Sequence, residues 1–224
     1  VTATRFSDHL HDLAESIWQA QHDHPFVLGI GDGALEVEKF KLWVKQDYLF
    51  LIDYARILSV ASARAPDLDT MRRFGDVAHE TTSVEMDLHR SYCAEFGITS
   101  EDLERETKLP TTQAYTDFLV RTATAGEYHE LIAALLPCMW GYCEIGQRLS
   151  EGEPSAELRY AKWVEMYSSP EFAALAEWCR ELTDRIASGV SAEGRSRMER
   201  AFLTCSRYEW MFWEMAWRNE TWPV

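Results

Sequence analysis

The sequence predicts an all-α protein, a single domain of about eight helices joined by short loops. Three observations predict it. Apolar residues recur at three- and four-residue steps nearly throughout. No segment stands out with the two-residue alternation of a strand. No internal repeat, low-complexity tract or long linker divides the 224 residues, and that length can bury a sizeable core.

Each element follows from a local pattern. Phe6, Leu10, Leu13, Ile17 and Trp18 mark a first amphipathic helix, with Ser7 as its expected N-cap. HPFVLGIGDGAL reads as a connector. Gly29, Gly31 and Gly33 resemble a phosphate loop only superficially, because no strand pattern precedes them, and a turn into the next helix is expected. Helical pattern then covers 37–65, stopped by Pro66, and 68–96, ended by Gly97. Thr99 with Asp102 three residues on predicts the cap of a short helix. Further helices are expected over 112–124, 127–149, 157–167, 170–188 and 192–222, with Ser169 and Pro170 as an N-cap and N1 pair.

Composition narrows the function. Net charge is −15, a field that repels phosphate backbones and anionic membranes, and the 22 Lys and Arg residues form no dense cluster. Neither nucleic acid nor membrane is an expected partner. No apolar run approaches the roughly 18–20 residues that span a bilayer. The opening VTATRFSDHL has no basic stretch followed by an apolar one, so no secretory signal is visible. Five cysteines, with no C-x-x-C pair, predict free thiols in a reducing cytoplasm.

Three stretches place reactive groups among aromatic ones. In LLPCMWGYCEIG, Leu135, Cys138, Tyr142 and Ile145 share one stripe, and Pro137 frees the carbonyl of Ala133. Cys138 is either a small core hydrophobe or a presented nucleophile. In YEWMFWEMAW, Glu209 shares a face with Phe212, Trp213 and Ala216. Burial there suits a carboxyl to general acid work, whereas the edge of the stripe leaves its head in water. Glu214 is the solvent-side carboxylate. In KQDYLFLIDYAR, Asp47 aligns with Phe50, Leu51 and Tyr54, and either accepts hydrogen bonds from a ligand amine or pairs with a nearby Arg or Tyr. Asp53 falls off that face and is expected to be exposed.

A metal site is not expected. No Glu-x-x-His pair occurs, and His79–Glu80 is followed by Ser83 where a zincin motif needs histidine. Glu85 and His89 lie four apart without a complementary pair. His9, His11, His22, His24 and His129 sit among polar neighbours and read as surface residues.

Taken in order, FSDHL, HPFVLGIGDGAL, QDYLFL, LLPCMWGYCEIG, YSSPEF and YEWMFWEMA resemble the TenA family, the thiaminase II or aminopyrimidine aminohydrolase group. The resemblance covers essentially all of 1–224. It implies a haem-oxygenase-like helical fold without haem or other cofactor, usually a homotetramer. It also implies a deep pocket for a 4-amino-2-methylpyrimidine carrying a substituted methyl at its fifth carbon. On that pattern Cys138 matches the nucleophile and Glu209 the general acid. Asp47 matches the contact to the pyrimidine amino group and ring nitrogen. Tyr115, Tyr142 and Tyr167 match tyrosines lining the site, and Phe212 matches a stacking aromatic. Phe50 stands where many relatives carry tyrosine, which removes one hydroxyl from the site.

The resemblance thus implies hydrolysis of an aminomethylpyrimidine to the hydroxymethylpyrimidine for thiamin salvage, with thiamin cleavage secondary. Within the fold, binding of another flat amine or quinone precursor is the first competing reading. A non-catalytic regulatory or interaction protein is the second, and a metal-dependent oxidase the third.

Overall fold

The computed structural model describes residues 5–155 and 157–224, without the side chains of Val84, Glu85, Leu88 and Ser100. The described residues form α-helices, one π-helical segment and loops, and no strand. Contacts group the chain into two compact units. One joins the chain up to Glu36 with His129–Glu214, and the other joins Val37–Tyr128 with Met215–Val224.

The first unit is built on α1 (Phe6–His22), α2 (Pro25–Asp32), most of α8 (Tyr128–Ser150), α9 (Leu158–Tyr167), α10 (Pro170–Ser188) and most of α11 (Ala192–Arg218). The second holds α3 (Val37–Ala63), α4 (Leu68–Glu80), the π segment Thr81–Glu85, α5 (Met86–Glu95), α6 (Ser100–Arg105) and α7 (Pro110–Ala125). Eleven α-helices are therefore present among the described residues. The count exceeds the expectation because a connector turns out helical and one expected helix is divided.

The connector is α2. His24 caps it, its Nδ1 accepting from the Phe26 N–H at 3.2 Å, and Pro25 occupies the first turn, where no N–H is needed. Gly33 ends it at φ 78°, a left-handed conformation that favours glycine. The glycines that argued against a helix serve packing instead. A Cβ on Gly31 would stand 2.8 Å from the Leu149 side chain, and one on Gly29 3.0 Å from Leu35.

Two caps match the sequence expectation. Thr99 and Asp102 form a reciprocal capping box, and Ser169 accepts from the Phe172 N–H at 3.2 Å. Each such cap contributes about 1 kcal/mol. At α1 the expectation fails. Arg5 holds the cap position, and buried Ser7 lies within the first turn. The Ser7 N–H donates to Asp184 of α10 at 2.7 Å, and Arg5 donates to the same carboxylate at 2.6 Å. A distant carboxylate thus does the work expected of a local hydroxyl, and it suits the positive helix end.

Other polar expectations also change. His22 and His24 are buried, not at the surface, because each faces a carboxylate. His24 Nδ1 accepts from the backbone, so its Nε2 carries the proton and donates to Glu214 Oε2 at 3.1 Å. Glu214 is accordingly a partly covered partner of His24. Asp53 is also largely covered. Burial would raise its carboxyl, but Lys108 and Arg56 hold it below the usual carboxylate range.

Candidate active site

Each unit carries its own part of the expected constellation. In the first unit, α8 presents Leu135, Tyr142 and Ile145 as buried members of one stripe, with Cys138 half-buried among them. Pro137 lies inside this helix and has no N–H to return to the Ala133 carbonyl. All five cysteines are thiols, and Cys93, Cys143, Cys179 and Cys205 are buried. Burial pushes the Cys93 thiol up to about 11 and raises Cys143, which the Glu144 carboxylate raises further. A buried, raised thiol is a poor source of thiolate. Cys138 is therefore the most accessible of the five, on the helix that carries Tyr142 into an aromatic setting.

That setting is built by four helices. The Tyr142 ring lies 4.9 Å from Tyr167 of α9 and 5.1 Å from Trp213 of α11. Trp163 lies 4.6 Å from Tyr167, and Phe172 of α10 meets Tyr167 edge-on at 5.0 Å. Such ring pairs add about 0.5–1.5 kcal/mol each beyond burial. Two details hold α9 in place. The Tyr160 hydroxyl donates to the Leu35 carbonyl at 2.9 Å. Gly146 lets α8 pass against the end of α9, where a Cβ would stand 2.6 Å from the Tyr167 carbonyl carbon.

Glu209 is 2 % exposed, on the same buried stripe as Phe202, Cys205, Phe212 and Trp213. This resolves the two readings of Glu209: its head is not in bulk water. Trp213 is itself anchored, donating from Nε1 to Gln21 Oε1 at 3.2 Å.

In the second unit, Asp47 is 5 % exposed on α3. Its partner is neither Arg nor Tyr but His89 of α5, whose Nε2 lies 2.6 Å from Asp47 Oδ2. The Glu85 side chain, considered with His89 for a metal, lies outside the described residues. Phe50 lies 5.4 Å from the Tyr54 ring, stacked on it, and 5.0 Å from the Tyr115 ring. Buried Gln46, beside Asp47, positions the start of α7 and hence Tyr115. Its Nε2 donates to the Thr107 carbonyl at 3.0 Å, and its Oε1 accepts from the Leu109 N–H at 2.9 Å.

The structure thus joins Tyr142 with Tyr167 in one unit and Phe50 with Tyr115 in the other. Three residues of these surroundings were not singled out for the site in the sequence: His89, Trp163 and Trp213. Trp163 carried a usable signal, one helical turn before Tyr167. Among the described residues no group of three or more His, Cys, Asp or Glu is placed to hold a metal ion. No helix among them is long and apolar enough to cross a membrane.

The chain is similar to known proteins over nearly its whole length. Residues 11–219 match the TENA/THI-4/PQQC family. An aminopyrimidine aminohydrolase of Halalkalibacterium halodurans is 45% identical over 219 residues, 97% of each chain. The solved TenA homologue from P. horikoshii OT3 superposes with a TM-score of 0.90 at 33% identity, covering 96% of this chain and 100% of that one. A domain with a haem-oxygenase-like fold from Shewanella denitrificans gives a TM-score of 0.73 at 15% identity, covering 97% and 94% of the two chains. That last likeness concerns the fold alone.

Proposed function

Because the chain belongs to the TENA/THI-4/PQQC family, we propose that Cys138 and Glu209 carry the chemistry of an aminopyrimidine aminohydrolase. The enzyme replaces the amine of an aminomethylpyrimidine with a hydroxyl, in salvage of the thiamin precursor. The substrate is 4-amino-5-aminomethyl-2-methylpyrimidine, with thiamin cleaved secondarily. The family match crosses both compact units, which supports reading 1–224 as one TenA-like domain.

Glu209 protonates or shares a proton with a ring nitrogen and makes the pyrimidine more electron-poor. The Cys138 thiolate adds to the ring carbon beside the substituted one, breaking aromaticity. Electrons returning through the ring expel the amine from the exocyclic methylene as ammonia. Water adds to that methylene, the sulfur leaves, and the aromatic ring re-forms. Covalent addition divides one hard displacement into easier steps. Asp47 accepts from the 4-amino group. Tyr142, Tyr167 and Phe212, with Phe50 and Tyr115, give a flat ring apolar faces to stack on.

One observation carries the assignment. Cys138 is the half-buried thiol among five, on the helix that supplies Tyr142 to the aromatic cluster. The test is turnover by Cys138→Ser. Product formation should vanish while the helical circular dichroism stays that of the parent. A folded variant that still forms hydroxymethylpyrimidine at the parent rate sinks the nucleophile assignment. The enzyme is further proposed to act in the cytoplasm as a homotetramer. Five cysteines outside any disulfide support a reducing compartment, and sedimentation would measure the assembly.

A further inference from the structure

The buried positions of α4 run through Thr70, Phe74 and Val77 and reach Thr81 just beyond its end, the ordinary steps of one helical face. On α5 they continue through Met86, His89 and Cys93, again at helical steps. Between the two runs, one turn holds a residue more than a regular α-helix would. The π segment Thr81–Glu85 supplies that residue. Such single-turn insertions change the phase of the helix and are frequent at functional sites. Here the change of phase brings His89 onto the face toward α3, where it meets Asp47.

His89 is 1 % exposed, and its Nε2 lies 2.6 Å from Asp47 Oδ2. A carboxylate oxygen only accepts, so the imidazole donates. No other described side chain hydrogen-bonds to Asp47, which leaves Oδ1 for a ligand.

We propose that His89 is a positioning residue for substrate binding: it fixes the Asp47 carboxylate through Oδ2 so that Oδ1 accepts from the pyrimidine 4-amino group. The inference rests on the aminopyrimidine reading above, and it adds to that reading a residue held two helices from Asp47 in sequence. His89 does not touch the reacting atoms. Its effect belongs to binding of the ring, equally in ground state and transition state, so it appears in KM more than in kcat.

The test is steady-state turnover of 4-amino-5-aminomethyl-2-methylpyrimidine by the full chain. His89→Leu should raise KM about 10–100-fold, the range for losing a hydrogen bond to a buried charge, with kcat altered by less than about threefold. His89→Gln sets an amide nitrogen near the place of Nε2 and should recover most of that loss. His89→Asn is too short to reach and should not. On an Asp47→Asn background, His89→Leu should add little, because its route to the substrate is already broken. A purely structural histidine would lower thermal stability and leave KM alone. Folded His89→Leu with KM within twofold of the parent overturns the proposal. An equal KM penalty in both backgrounds does so too. If His89→Leu fails to fold, the Gln and Asn variants decide, and equal KM values for the two overturn it. A parent enzyme that turns over no aminopyrimidine sinks the activity itself, and that failure is seen before any His89 variant is compared.

Discussion

Glu144 accepts a hydrogen bond from His22, Nε2 to Oε1 at 2.9 Å, between α8 and the end of α1. Its other oxygen lies 3.3 Å from His11 Nε2. Burial alone would raise the Glu144 carboxyl, but the two imidazoles outweigh it and bring it down to about 2. Glu144 in turn raises His11 above its ordinary 6.5.

The signs define a pH window. The depressed carboxylate stabilises the fold fully above its ordinary value of 4.5, and that stabilisation is lost as pH falls toward 2. The raised imidazole stabilises fully below 6.5, and its share is lost as pH rises through the folded-state value. Glu144→Gln should therefore lose most between about pH 4.5 and 6.5. The loss is on the order of 2 kcal/mol, or about 4–8 °C in Tm. Thermal unfolding of both proteins from pH 3 to 9 measures this, and a Tm difference constant with pH contradicts it.

Thiol access should separate the cysteines chemically. Cys138 should be carbamidomethylated by iodoacetamide well before Cys93, Cys143, Cys179 and Cys205, as mapped by peptide mass spectrometry. Cys143→Ser should keep turnover within about twofold of the parent. Early labelling at Cys143 would remove the basis for treating Cys138 as the reactive thiol.

Glu209→Gln keeps the volume of a buried side chain and removes its exchangeable acid proton. As general acid, its loss should lower kcat about 10²–10⁴-fold with the fold retained. Retention of half the parent kcat at neutral pH would assign Glu209 a role in packing alone.

Two glycines on one helix should respond in opposite ways. Gly146→Ala drives a methyl into backbone atoms of Tyr167 and Ser168, at 2.6 and 2.8 Å. It should lower stability by about 1–3 kcal/mol, and it should lower activity by displacing Tyr167. Gly141 has open space where a Cβ would stand. Gly141→Ala should hold or raise stability, by up to about 1 kcal/mol, because glycine is costly inside a helix. Paired thermal melts check both, and equal losses would mean that α8 does not need Gly146 for its approach to α9.

The helical stripes and two of the caps were legible because they depend on neighbours a few residues apart. What escaped depends on distant partners or on phase. Asp184 replaces the expected Ser7 cap, and Glu144 and Glu214 bury His22 and His24, from parts of the chain that no local window contains. The α2 helix was hidden by glycines whose value lies in close packing against Leu35 and Leu149. The order of six motifs nominated the candidate residues other than Tyr115. His89 was visible only as one member of a pair with Glu85, because its link to Asp47 depends on an extra residue within a helix.

That extra residue makes chain length, more than side-chain identity, the guardian of His89. Point changes within Thr81–Glu85 can leave the phase of α5 as it is. Deleting one residue there would swing everything downstream by about 100°, carrying His89 off the α3 face without altering a single atom of it.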